Sequence, residues 1–128
     1  IAVEGFRELA DALRASRTSA ETPDESLTRM AQTYLDFACA NPVIYELMFV
    51  RGTTLKFATD DVPAPVSAGF AELREGISAV APDRDPDTLS EVFWAALHGL
   101  ASLDRSARLR PQFAAERVRM LVEQIASH

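Results

Sequence analysis

The sequence predicts an all-α fold of six helices in a single domain, and three observations carry that prediction. Apolar residues recur at the helical i, i+3, i+4, i+7 spacing along most of the chain. A capping side chain stands directly before a proline at Thr22-Pro23, Asn41-Pro42 and Asp85-Pro86, the pattern of a helix start. No hairpin dipeptide separates two alternating apolar runs, so no strand is expected.

The first helix, expected over about 2–16, carries Phe6, Leu9, Ala10 and Leu13 on one stripe and Arg7, Glu8, Asp11 and Arg14 opposite, before SRTSAET breaks the period. Thr22 and Glu25 form a T-x-x-E capping box around Pro23, opening a second helix whose stripe is Leu27, Met30, Ala31, Tyr34, Leu35 and Ala38 and which runs to about Ala40. Asn41 and Pro42 start a third, short helix, VIYELMFV, apolar on most sides and expected to be largely buried, ending near Gly52. Residues 52–65 mix glycine, paired aspartates and prolines, and predict a loop. Val66, Phe70, Leu73, Ile77 and Val80 mark the fourth helix, stopped at Ala81-Pro82. Asp85-Pro86 starts the fifth, and Pro111 opens the sixth, with Ala114, Val118, Leu121, Val122 and Ile125 on its stripe.

The fifth helix stands apart. Between Thr88 and Leu103 the only charged residue is Glu91, so the segment from about Asp87 to Asp104 is expected to be buried on nearly every side. Leu89, Val92, Phe93, Ala96, Leu97, Leu100 and Leu103 form a broad apolar face. Ala95, Gly99, Ser102 and Ser106 form a second, small-residue line suited to a close helix crossing. One chain of this size has a core for one such face. The other is expected to meet a second copy, so that the last two helices of each subunit build a four-helix bundle, with Phe113, Met120 and Gln124 of the sixth helix also on the contact.

Composition limits the function classes. With 48% hydrophobic and 25% charged residues the chain is a folding globular sequence. Its apolar runs fall well short of the roughly 20 residues that span a bilayer, so no membrane partner and a cytoplasmic location are expected. A net charge of −6 repels phosphate backbones, and this segment by itself is not expected to bind DNA. The single cysteine, Cys39, excludes a disulfide framework and a multi-cysteine metal site, and its setting in YLDFACA predicts a buried structural thiol. The acidic cluster PDRDPD lacks the glycine and closing glutamate of a calcium loop. No nucleophile with a base and no phosphate-cradling glycine loop is present, so no enzyme, cofactor, catalytic residue or metal site is expected.

The helix order, the Asn41-Pro42 junction in YLDFACANPVIYELMF and the W-x-x-x-H-G motif at Trp94, His98 and Gly99 resemble the C-terminal domain of TetR-family transcriptional regulators, over essentially the whole chain. That resemblance implies that residues 1–128 are one effector-binding and dimerisation domain, preceded in the whole protein by a helix-turn-helix segment. It implies a homodimeric transcriptional repressor in which a hydrophobic small-molecule effector enters a cavity between helices, shifts the first helix and releases operator DNA. Candidate cavity residues are the large or aromatic inward ones: Met30, Tyr34, Phe37, Tyr45, Met48, Phe49, Phe70, Leu73, Trp94 and His98, of which Tyr34, Tyr45, Trp94 and His98 offer polar handles. Each of these is also an ordinary core residue by type. A helical adaptor docking a partner protein, without a small-molecule ligand, is the alternative from another class.

Overall fold

A computed structural model describes residues 2–50 and 64–127, with side chains described outside 64–66. Six α-helices follow in order: α1 (Ala2–Ser19), α2 (Pro23–Ala40), α3 (Pro42–Phe49), α4 (Ala64–Val80), α5 (Pro86–Arg105) and α6 (Ala114–Ala126), the last preceded by a 3-10 turn over Pro111–Phe113. There is no strand among the described residues. Most of the expected loop lies outside them, but its last two positions, Ala64 and Pro65, already belong to α4.

The helix starts follow the sequence signals at Thr22 and Asp85 but not at Asn41, and Pro111, expected to open α6, opens the 3-10 turn before it. Thr22 accepts from the Glu25 backbone N–H at 3.1 Å, and the Glu25 carboxylate accepts from the Glu21 N–H at 2.9 Å, closing the capping box one residue early. Asp85 accepts from the Thr88 hydroxyl at 2.5 Å and from the Asp87 N–H at 3.3 Å. Asn41, expected to cap α3, instead donates its side-chain amide to the Phe37 carbonyl at 3.1 Å and thereby closes α2. α5 ends with the N–H of Ala107 on the Asp104 carbonyl and that of Arg108 on the Leu103 carbonyl, a Schellman pair. The turn holds Ala107 at φ 58°, a left-handed conformation usually left to glycine.

α1, α2, α4 and α5 enclose the core, where Leu13, Leu27, Met30, Tyr34, Ile77, Phe93 and Leu97 are almost wholly buried, and α6 closes it with Val118, Val122 and Ile125. Gly5 sets the approach of α1 to α3, because a Cβ there would lie 2.7 Å from both Ile44 Cγ2 and Met48 Sδ. Arg17 of α1 reaches Glu72 of α4 at 2.8 Å. Arg84 donates to the carbonyls of Ile125 and Ser127, supplying partners at the end of α6.

Three burial expectations are corrected. α5 buries Leu89, Ser90, Phe93 and Leu97, but Val92 and Leu103, expected on its core face, are 54% and 46% exposed. α3 buries Tyr45 and Met48 but exposes Val43 and Leu47, and Val50 at its C-cap is exposed as well. Cys39 is exposed, because on α2 it faces away from the buried stripe of Tyr34, Phe37 and Ala38.

Candidate functional site

Four side chains form a line of polar groups through the core. Trp94 Nε1 donates to the Tyr34 hydroxyl at 3.1 Å, the Tyr34 and Tyr45 hydroxyls lie 2.6 Å apart, and the Tyr45 hydroxyl lies 2.6 Å from His98 Nδ1. Helical spacing sets Trp94 and His98 one turn apart on α5, and α2 and α3 supply the two tyrosines between them. Phe49 is the apolar hub of the group, with ring centroids 4.8 Å from Tyr45, 5.2 Å from Phe6 and 5.8 Å from Trp94.

Hydrogen-bond accounting gives this line a direction. An indole N–H only donates, so the Tyr34 oxygen accepts from Trp94. If Tyr34 then donates to Tyr45 and Tyr45 to His98 Nδ1, every proton in the chain has an acceptor. The opposite polarity, with a proton on Nδ1, would leave the Tyr34 hydroxyl hydrogen unpaired on a side chain only 1% exposed, at a cost of about 1–3 kcal/mol. The first polarity puts the His98 proton on Nε2. Burial keeps the imidazole neutral by pushing its pKa below its ordinary 6.5. Desolvation likewise pushes Tyr45 up to about 12 and Tyr34 higher still, so both phenols stay neutral.

Two cavities flank the chain. The inner one, about 30 Å³, is walled by Phe6, Leu9 and Leu13 of α1, Gly69, Phe70 and Leu73 of α4, and by Tyr34, Phe49 and Trp94. The outer one is an open groove of about 710 Å³ between α2, α3, α5 and α6, to which Tyr45 and His98 contribute. The four-residue chain thus runs from the inner cavity to the outer groove.

Of the residues singled out in the sequence, Tyr34, Phe49, Phe70, Leu73 and Trp94 line the inner cavity, and Tyr45 and His98 the groove. Met30, Phe37 and Met48 line neither and are buried in the core. The residues assigned to a subunit contact lie at or near the surface: Ala95, Ser102, Ser106 and Gln124 are exposed, Gly99 is half-exposed, and Phe113 and Met120 are 39% and 49% exposed. Sequence reasoning missed the α1 wall, although Phe6, Leu9 and Leu13 were visible as a stripe. It also missed the groove, whose walls come from two helix pairs, α2 with α3 and α5 with α6, far apart in sequence. Among the described residues no cluster of His, Cys, Asp or Glu is placed to hold a metal ion, and no helix is long and apolar enough to cross a membrane.

Fold and site together define an all-helical domain in which a line of four polar side chains runs between a small apolar cavity and a larger groove. The chain belongs to the family of tetracycline repressor-like C-terminal domains, whose sequence profile matches residues 27–127. Its fold is similar to that of a protein of unknown function from Rhodococcus sp. RHA1, with a TM-score of 0.68 at 23% identity; the match covers 98% of this chain and 66% of the other. No match was found among curated proteins.

Proposed function

We propose that this domain is the effector-sensing and dimerisation part of a TetR-like DNA-binding repressor, with the inner cavity as its effector site. The observation that carries the reading is the composition of that cavity's walls: three α1 side chains face the aromatic group anchored on Trp94 and Tyr34. A space of about 30 Å³ holds little more than one water, so any effector of ordinary size must move α1 or α4 outward to bind. With α1 as the wall that yields, effector binding and its displacement are one event, a population shift toward a state with α1 displaced. In the whole protein α1 joins the expected helix-turn-helix segment, and half-sites one DNA turn apart make operator binding sensitive to such a shift.

The walls are apolar and aromatic with neutral polar groups, which favours an uncharged aromatic or hydrophobic effector. Screening such compounds by thermal shift tests the reading. An effector at 100 times its Kd adds about 2.7 kcal/mol and raises Tm by about 8 °C, an effect that Leu73→Trp, by filling the cavity, should abolish. No shift with any hydrophobic class would refute an effector site here.

The homodimer rests on the uncovered side of α5 and α6. Val92, Leu103, Phe113 and Met120 stand exposed beside the small residues, and a Cβ on Gly99 would meet nothing within 4 Å, leaving room for a crossing helix. Gly99→Leu should weaken the dimer in sedimentation equilibrium while leaving helical content unchanged. A dimer of undiminished affinity would exclude Gly99 from the contact.

A further inference from the structure

On the reading of the inner cavity as the effector site, we infer that its ligand is a compact hydrocarbon without a hydrogen-bonding group, and that Tyr45, which lines no part of the cavity, sets this selectivity. Only two side chains of the cavity wall carry a polar atom, Trp94 and Tyr34. Both are spent on the hydrogen-bond chain. Trp94 Nε1 donates its one proton to the Tyr34 oxygen at 3.1 Å, and the Tyr34 hydroxyl donates its own to Tyr45 at 2.6 Å. A ligand hydroxyl or carbonyl therefore meets no free donor in the wall. To gain one it must break a bond of the chain, an exchange without net gain.

Enlarging the cavity does not change this. The walls that can yield present Phe6, Leu9 and Leu13 from α1 and Gly69, Phe70 and Leu73 from α4, none with a polar side chain. The backbone groups of such walls are paired along their own helices. The charged pair that ties α1 to α4 is spent likewise, since Arg17 donates from Nε and Nη2 to Glu72 Oε1 at 3.0 and 2.8 Å. A polar group carried into this space loses water without compensation, which lowers affinity by about 10-fold to 100-fold against the parent hydrocarbon. Tyr45 enforces the rule from outside by holding the Tyr34 proton. In Tyr45→Phe the Tyr34 hydroxyl becomes a free donor on the cavity wall, and in Tyr34→Phe the Trp94 N–H does.

Trp94 is the only tryptophan of the chain and stands in this wall, so its emission reports occupancy. The test titrates p-cymene and thymol, which is the same skeleton with one added hydroxyl, against Trp94 emission. Thymol should bind at least about ten-fold more weakly than p-cymene. In Tyr45→Phe, and independently in Tyr34→Phe, the ratio of the two dissociation constants should fall to about one, with circular dichroism checking that each variant is folded during the titration. Gly69→Leu, placed where a Cβ meets nothing within 4 Å, should fill the cavity and abolish p-cymene binding. Thymol binding as tightly as p-cymene to the unaltered protein, or an unchanged ratio in a folded variant, overturns the hydrocarbon assignment and leaves the effector site standing. No response to either compound, or a response that Gly69→Leu does not touch, overturns the effector site as well.

Discussion

Replacing Tyr45 by phenylalanine removes one oxygen and cuts the buried hydrogen-bond chain at its centre. That oxygen makes contacts of 2.6 Å with both the Tyr34 hydroxyl and His98 Nδ1. A buried hydrogen bond contributes about 1 kcal/mol net, and a buried donor left without an acceptor costs about 1–3 kcal/mol. In Tyr45→Phe the stranded donor is the Tyr34 hydroxyl, 1% exposed, while half-buried His98 is within reach of water. The loss should be about 2–4 kcal/mol. Tyr34→Phe leaves Trp94 without its acceptor and should cost about 1–3 kcal/mol. The double variant has no stranded phenol, so its loss should fall short of the sum of the singles by about 1–2 kcal/mol. Urea unfolding at one fixed protein concentration, with unchanged m-values, measures all three differences. Additivity within about 0.5 kcal/mol would refute the bond between the two tyrosines and with it the direction assigned to the chain.

Other consequences follow from the same network and from the end of α5. The chain contains two tyrosines, both shifted upward, so absorbance at 295 nm should show no phenolate step near pH 10 until the protein unfolds; a step worth one tyrosine in the folded state would contradict their burial. The unfolded chain gives up these protons first, so stability should fall as pH rises above about 10. His98 has the opposite sense: its folded pKa lies below 6.5, the unfolded state binds the proton more readily, and stability should fall as pH drops below 6.5. His98→Gln should flatten the stability profile between pH 7 and 5, and an unchanged slope would exclude His98 as its source. Ala107→Gly relieves a left-handed alanine and should raise stability by about 0.5–1 kcal/mol, the strain relief exceeding glycine's added unfolded-state entropy. A net loss in the same unfolding measurement would mean that the turn holds no such strain.

The helices were legible because their signals are local. Thr22 and Asp85 cap the turns they precede, and the stripes of α1, α2 and α6 are the buried faces. Asn41 was misread because an amide serves the end of one helix as well as the start of the next, and only the geometry of the junction decides. Cys39 was misread because its neighbours are apolar, whereas its phase on the helix sets it outside their stripe. The i, i+4 pairing of Trp94 and His98 was visible in the sequence. Their connection through Tyr34 and Tyr45 was not, since it spans separations of 60, 11 and 53 residues that only packing brings together.

Gly5 gives α1 a gearing that its apolar stripe does not suggest. With no side chain of its own, it lets Ile44 and Met48 mesh directly with the α1 backbone, as teeth fit a rack. Tyr45 sits between those two residues on the same short helix and holds the middle of the hydrogen-bond chain. The α1 backbone is thus one residue away from the side chain whose contacts of 2.6 Å hold the chain on both sides. The close contact at Gly5 and the bonds of Tyr45 thus join α1, through α3, to the imidazole in the wall of the groove.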